Sequence, residues 1–233
     1  MGSAYRLTPH CGMAEFGSRP SPEKTILLMG RGMALSMKGN SRVSSEAEDL
    51  THGPSPNHPM LRLPDLLSKG LDVVFCGINP ALSAAQAGHH FSSRSNRFWR
   101  VLYLAGFTPH LIPSESDRTI LQYGCGLTAA VERPTVSASE LASHEFHEAA
   151  EELERKLWRY RPRYLAFLGK PAFAAISRQK KVDWGRQSKE LGGVEIWVLP
   201  NPSGLNRAFS LDALVFAYRE LRNALQTRPC RTC

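Results

Sequence analysis

The feature that most constrains this chain is an alternation, after about residue 60, of short β-rich apolar runs with longer stretches of helical period. Leu71 to Ile78 is a run of the first kind. It stops at Asn79-Pro80, where a proline and the restricted residue before it end a strand. Cys125 to Thr128 reads as a second strand, Tyr164 to Leu168 as a third and Val194 to Leu199 as a fourth, which runs into Pro200-Asn201-Pro202-Ser203-Gly204. Between them, Ser95 or Asn96 caps a helix that has Phe98, Trp99, Leu102 and Ala105 on one face and Gly106 closing it. From Ser143, the residues Phe146, Ala149, Ala150, Leu153, Leu157 and Tyr160 recur at helical spacing until Pro162 stops the pattern. Gly169-Lys170-Pro171 turns the third strand into a helix with proline near its first position. A last helix, capped by Ser210, places Leu211, Leu214, Val215, Tyr218 and Leu221 together. No repeat of fixed period is present. The pattern predicts a three-layer α/β/α sandwich around a small, mainly parallel four-stranded sheet, with ligands beyond the carboxyl ends of the strands.

Residues 1–59 are rich in Gly, Ser, Pro and Met and have no sustained period, so a disordered extension is expected there. Met60 opens the folded region and is a candidate for the true translation start. The folded domain is expected over 60–226, followed by a flexible tail over 227–233. At 233 residues and 42% hydrophobic, the chain can bury one good core.

Lys plus Arg outnumber Asp plus Glu by 29 to 21, a formal charge of +8. Residues 1–60 are nearly neutral, so the surplus belongs to the folded part and suits a polyanionic partner. Five cysteines without regular spacing favour a reducing compartment. Cys230 and Cys233 form one Cys-x-x-Cys pair in the tail, with no second pair to complete a tetrahedral metal site. Neither an iron–sulfur cluster nor any other cofactor is expected. The apolar runs are too short for a membrane span or a signal peptide, so a cytoplasmic protein is expected.

Taken singly, Gly77-Ile78-Asn79-Pro80 and Asn201-Pro202-Ser203-Gly204 are each a strand followed by a turn. At the ends of two strands of one sheet, they can face each other across a shared crevice. Lys170 does not belong to a P-loop, since the earlier glycine and the following Ser or Thr are missing; a structural or phosphate-facing role is expected. The adjacent His89 and His90 lack a carboxylate or cysteine at ligand spacing and are read as cavity rim or DNA contacts.

Five ordered segments carry a family resemblance: Val73 to Pro80, Gly88-His89-His90-Phe91, Asn96-Arg97-Phe98-Trp99, Arg133-Pro134-Thr135 and Leu199 to Leu205. Over about residues 60–226, the chain resembles the mismatch-specific uracil/thymine DNA glycosylases of the uracil-DNA glycosylase superfamily. The resemblance implies that superfamily's fold and a monofunctional glycosylase of base excision repair. Such an enzyme flips uracil, or in some members thymine or etheno-cytosine, out of a pair with guanine and hydrolyses its N-glycosidic bond. Asn79 matches the catalytic position, where a side-chain amide holds the attacking water. An amide is no general base at neutral pH, so it contributes by positioning and turnover should be slow. Gly77, Ile78, Pro80, Phe91, Asn201 and Ser203 match the substrate-binding positions, with Phe91 as the ring on which the base stacks. Gly204, Leu205, Asn206 and Arg207 match the wedge, with Leu205 as the apolar plug in the DNA.

Two residues depart from the family pattern: Ala81 stands where glycine is usual, and Asn206 where serine is common in bacterial relatives. The implied partner is double-stranded DNA with a mismatched or damaged pyrimidine, with downstream repair enzymes as further candidates and no membrane. The rival readings are a mismatch-binding protein that excises nothing and a hydrolase of free nucleosides.

Overall fold

The apolar runs become strands, but in a sheet of five rather than four. The computed structural model describes residues 61–227. The strands are β1 (Val73–Gly77), β2 (Cys125–Ala129), β3 (Tyr164–Leu168), β4 (Gly185–Leu191) and β5 (Val194–Leu199), in the order β2-β1-β3-β5-β4. The first four strands of that order pair in parallel, and β4 pairs antiparallel with β5 at the edge. The helices are α1 (Leu82–Ala87), α2 (Phe98–Leu104), α3 (Ser143–Tyr160), α4 (Lys170–Ser177) and α5 (Leu211–Thr227), with 3₁₀ turns over Ser114–Tyr123 and Ala138–Glu140.

Side chains alternate across a strand, and here each set meets its own layer. Val73, Phe75, Tyr164, Ala166, Trp197 and Leu199 pack with Phe98 and Leu102 of α2 and with Leu214, Tyr218 and Leu221 of α5. The residues between them in sequence, Val74, Cys76, Leu165, Phe167, Ile196 and Val198, pack with Phe146, Leu153 and Leu157 of α3 and with Phe173 and Ile176 of α4. The result is the three-layer α/β/α sandwich expected from the pattern.

The capping reading also holds locally. The Phe98 amide donates to Asn96 Oδ1 at 3.0 Å, and the Ala213 amide donates to Ser210 Oγ at 3.1 Å. Arg161, with φ 48°, ends α3 just before Pro162.

The missed strand, β4, has the sequence Gly-Arg-Gln-Ser-Lys-Glu-Leu and no apolar run. It is an edge strand that leaves most of its side chains in water, and charged side chains are the usual protection of such an edge. Gly192 (φ 56°) and Gly193 (φ 75°) make its turn into β5, both in the left-handed region that a two-residue hairpin loop of this type requires. That Gly-Gly pair was the available signal.

From β1 the chain runs out to β2 and then returns to place β3 on the other side of β1. The crevice beyond the carboxyl ends of β1 and β3 is therefore the switch point where ligands bind in such sheets. The extension read over 1–59, the start at Met60, Cys11, and Cys230 with Cys233 lie outside the described residues. The folded part extends at least to Thr227, one residue past the expected boundary.

Candidate active site

Beyond the carboxyl ends of β1, β2 and β3 lies a cavity of about 410 Å³. Gly77, Ile78, Asn79 and Pro80 line it from the loop after β1, and Asn201, Ser203, Leu205 and Asn206 from the loop after β5. Phe91 lines it as well. The two Asn-Pro loops thus meet at one site, as their positions at strand ends suggested. Gly204 and the exposed Arg207 belong to the same loop but not to the cavity wall.

Asn79 is held by both of its amide protons. Nδ2 donates to the Arg133 carbonyl at 2.9 Å and to Thr135 Oγ1 at 2.7 Å. A carbonyl can only accept, so the contact with Arg133 fixes which end of the amide is nitrogen. Oδ1 makes no hydrogen bond among the described residues and keeps its capacity to accept one, in a residue that lines the cavity.

The partner loop is itself tied down. Arg133 makes a two-pronged contact with Glu145, Nε to Oε2 at 2.8 Å and Nη2 to Oε1 at 2.9 Å. Arg133 and the Ala142 amide hold the Glu145 carboxyl down at about 2. Backbone bonds from Thr135 N to the Pro80 carbonyl (3.2 Å) and from Leu82 N to the Thr135 carbonyl (2.8 Å) bind this loop to the Asn79 segment.

Ala81 sits in this join with φ −67° and ψ 142°, extended backbone that any residue adopts. The alanine therefore strains nothing in the main chain. Its methyl group is an addition to the cavity wall.

Phe91 has φ 54°, the left-handed region, which costs a bulky residue roughly 1–3 kcal/mol. Its ring stacks on the buried Phe98 with centroids 4.0 Å apart, which returns about 1 kcal/mol. The preceding histidine lines the cavity, as the rim reading had it, but from a buried position rather than from the open edge. His90 is buried; its Nε2 donates to the Pro64 carbonyl at 2.9 Å, its amide donates to Asp117 Oδ2 at 2.8 Å, and its carbonyl accepts from Trp99 Nε1 at 3.0 Å. Burial lowers its pKa, so the ring is neutral and fastens the turn that presents Phe91.

The loop after β5 begins at Pro200, whose carbonyl accepts from Tyr218 Oη at 3.2 Å. Burial pushes that phenol up and keeps it a donor. Asn201 Oδ1 accepts from the Ser203 amide at 2.9 Å, and Ser203 Oγ accepts from the Leu205 amide at 3.3 Å. Asn206 Nδ2 donates to the Asn201 carbonyl at 2.9 Å, so the residue that departs from serine closes the loop on itself.

Gly204 packs so tightly on Ser95 that a Cβ would lie 2.6 Å from the Ser95 carbonyl oxygen. Leu205, by contrast, is 87% exposed. Val136, 78% exposed, is a second highly exposed apolar side chain among the cavity-lining residues. Lys170 Nζ lies 4.5 Å from the centroid of the Trp184 ring and is not among the residues that line the cavity.

Sequence reasoning gave no role to three residues that organise the site. Arg97 donates to the loop after β5, Arg133 supplies a carbonyl and Thr135 a hydroxyl to Asn79. Among the described residues, no group of His, Cys, Asp or Glu is placed to hold a metal ion, and no helix is long and apolar enough to cross a membrane.

The family model of the uracil DNA glycosylase superfamily matches residues 64–225. Among solved structures, the chain is similar to the solution NMR structure of a proposed uracil DNA glycosylase from Methanosarcina acetivorans. The match has 20% identity and a TM-score of 0.48, and covers 70% of this chain and 98% of that one.

Proposed function

The chain belongs to the uracil DNA glycosylase superfamily, whose members act on uracil in DNA, and from that premise we propose a monofunctional glycosylase that removes uracil opposite guanine. The observation that carries this reading is Asn79: an amide with both protons committed and its carbonyl oxygen left able to accept, in a residue that lines the cavity.

In this mechanism the flipped uracil stacks on Phe91, with Gly77, Ile78, Pro80, Asn201 and Ser203 around it. Asn79 Oδ1 accepts a hydrogen bond from a water and aims its oxygen at the sugar carbon C1′. The bond from C1′ to the base nitrogen breaks and its electron pair leaves with the uracil. The water oxygen bonds C1′ and its proton passes to solvent. Backbone N–H groups at Ile78 and Asn79 stabilise the charge that grows on the departing base. Asn79 contributes orientation and not proton abstraction, so the rate is modest.

Leu205 is the reason to choose duplex DNA over a free nucleoside. An exposed leucine at the cavity mouth has no use on a nucleoside, whereas in a duplex it fills the gap left by the flipped base. Loop backbone beside it reads the widowed guanine. Thymine and etheno-cytosine opposite guanine are further candidate substrates. Product in this reading is an abasic site with an intact strand, and among the described residues no lysine lines the cavity to form a Schiff base.

The test is single-turnover base release from duplexes carrying G·U, A·U, G·T or G·etheno-cytosine. Release from G·U much faster than from A·U, and absent with Asn79→Ala, is expected. Tight duplex binding without release from any of them would overturn the reading in favour of a mismatch-binding protein.

A further inference from the structure

The densest side-chain organisation without an assigned role is at Arg97. Its guanidinium donates four hydrogen bonds, all to backbone carbonyls of the loop that carries Leu205. Nε reaches Pro202 at 3.3 Å, Nη1 reaches Phe209 at 2.7 Å, and Nη2 reaches Ser203 at 3.0 Å and Asn206 at 2.9 Å. The Arg97 amide adds a fifth bond, to Pro202 at 3.0 Å. The contacts span the loop from Pro202 to Phe209. A planar fork of five N–H donors can hold several acceptors in one plane, which a single ammonium cannot.

The arginine is also well anchored. Phe98 and Trp99, next in sequence, are buried in the core between sheet and helices. Phe98 is the ring on which Phe91 stacks. One short segment therefore fixes both the loop of Leu205 and the aromatic wall of the cavity.

A leucine that enters a base stack must transmit load to the body of the protein, and Leu205 itself is almost wholly solvent-exposed. An irregular loop would otherwise lose its conformational freedom only when DNA arrives, at the expense of the flipping step. We infer that Arg97 is the positioning residue that sets the Leu205 wedge before DNA binds and registers it against Phe91. This rests on the reading of Leu205 as a wedge.

The experiment is a double-mutant cycle on single-turnover uracil release from a G·U duplex, using wild type, Arg97→Ala, Leu205→Ala and the pair. Leu205→Ala is expected to slow release tenfold or more, Arg97→Ala by a similar factor, and the pair by no more than the slower single variant. Duplex affinity, read by anisotropy, should stay within about threefold while the fluorescence rise of a 2-aminopurine beside the uracil is lost in both single variants; a mere loss of folding would not separate these two signals. Losses that multiply in the pair, or wild-type release by Arg97→Ala, would overturn the inference. Wild-type release by Leu205→Ala would instead remove the wedge reading beneath it, and no release by the wild type the glycosylase reading. Should Arg97→Ala not fold, Arg97→Lys keeps the charge and stem, and the same cycle is run with it.

Discussion

Asn79 spends both amide protons inside the protein, and this decides what its substitutions will do. Asn79→Ala should lower uracil release by at least about 100-fold, the scale of a lost positioning group, while the two internal hydrogen bonds it also removes lower the melting temperature by only a few degrees. Thr135→Val removes the 2.7 Å acceptor but leaves the Arg133 carbonyl, so release should fall only about tenfold, the worth of one hydrogen bond. Single-turnover rates of the two variants check both. Gly204→Ala should displace the wedge loop from Ser95 and slow release while leaving thermal stability near wild type, since the loop lies outside both cores.

His90 gives a pH dependence. Burial lowers its folded pKa, against the opposing pull of the Pro64 carbonyl, Asp117 and Asp65. The unfolded chain then binds the extra proton first, so its contribution to stability is complete above the ordinary histidine value of 6.5 and is lost as pH falls below it. Melting curves from pH 8 to pH 5 should show this drop, and His90→Gln should flatten it. The Arg133–Glu145 pair acts lower, since its stabilisation is present above the ordinary carboxylate range and is lost as pH falls toward about 2.

At this scale the sequence was readable where a side chain acts through its own chemistry. Asn79, Phe91 and Leu205 could be named from motifs. Arg133 acts on Asn79 through a carbonyl that every residue has, and Arg97 acts on partners more than a hundred positions away. Both stand in segments that carry the family resemblance, yet nothing local in those segments tells what either residue holds.

Strands and helices were legible in proportion to how much apolar surface they bury. β1 and β3 are continuous apolar runs covered on both faces, β5 is one but for Glu195, and α3 and α5 carry a full helical stripe, so each was placed within a few residues. β4 has no such run, α1 is six residues without a side-chain cap, and the 3₁₀ turns obey neither period. The β4–β5 hairpin depends on its turn instead. Gly193→Ala meets no neighbour but must hold φ 75°, so it should cost about 1 kcal/mol in urea unfolding and leave uracil release unchanged.

For the whole molecule, two cores on opposite faces of one sheet supply the stability, and the site hangs from loops at one end of that sheet. The basic surplus of +8 acts at longer range. Raising salt from 50 to 200 mM should weaken duplex binding by at least about tenfold, through released counterions, as read by anisotropy titration. Because Arg97 grips main-chain oxygens and the Leu205 side chain stands out in solvent, the outline of this loop does not depend on which side chain position 205 displays. Position 205 can therefore be rewritten like a replaceable tip on a fixed handle, so that the bulk the loop presents is changed without rebuilding the loop.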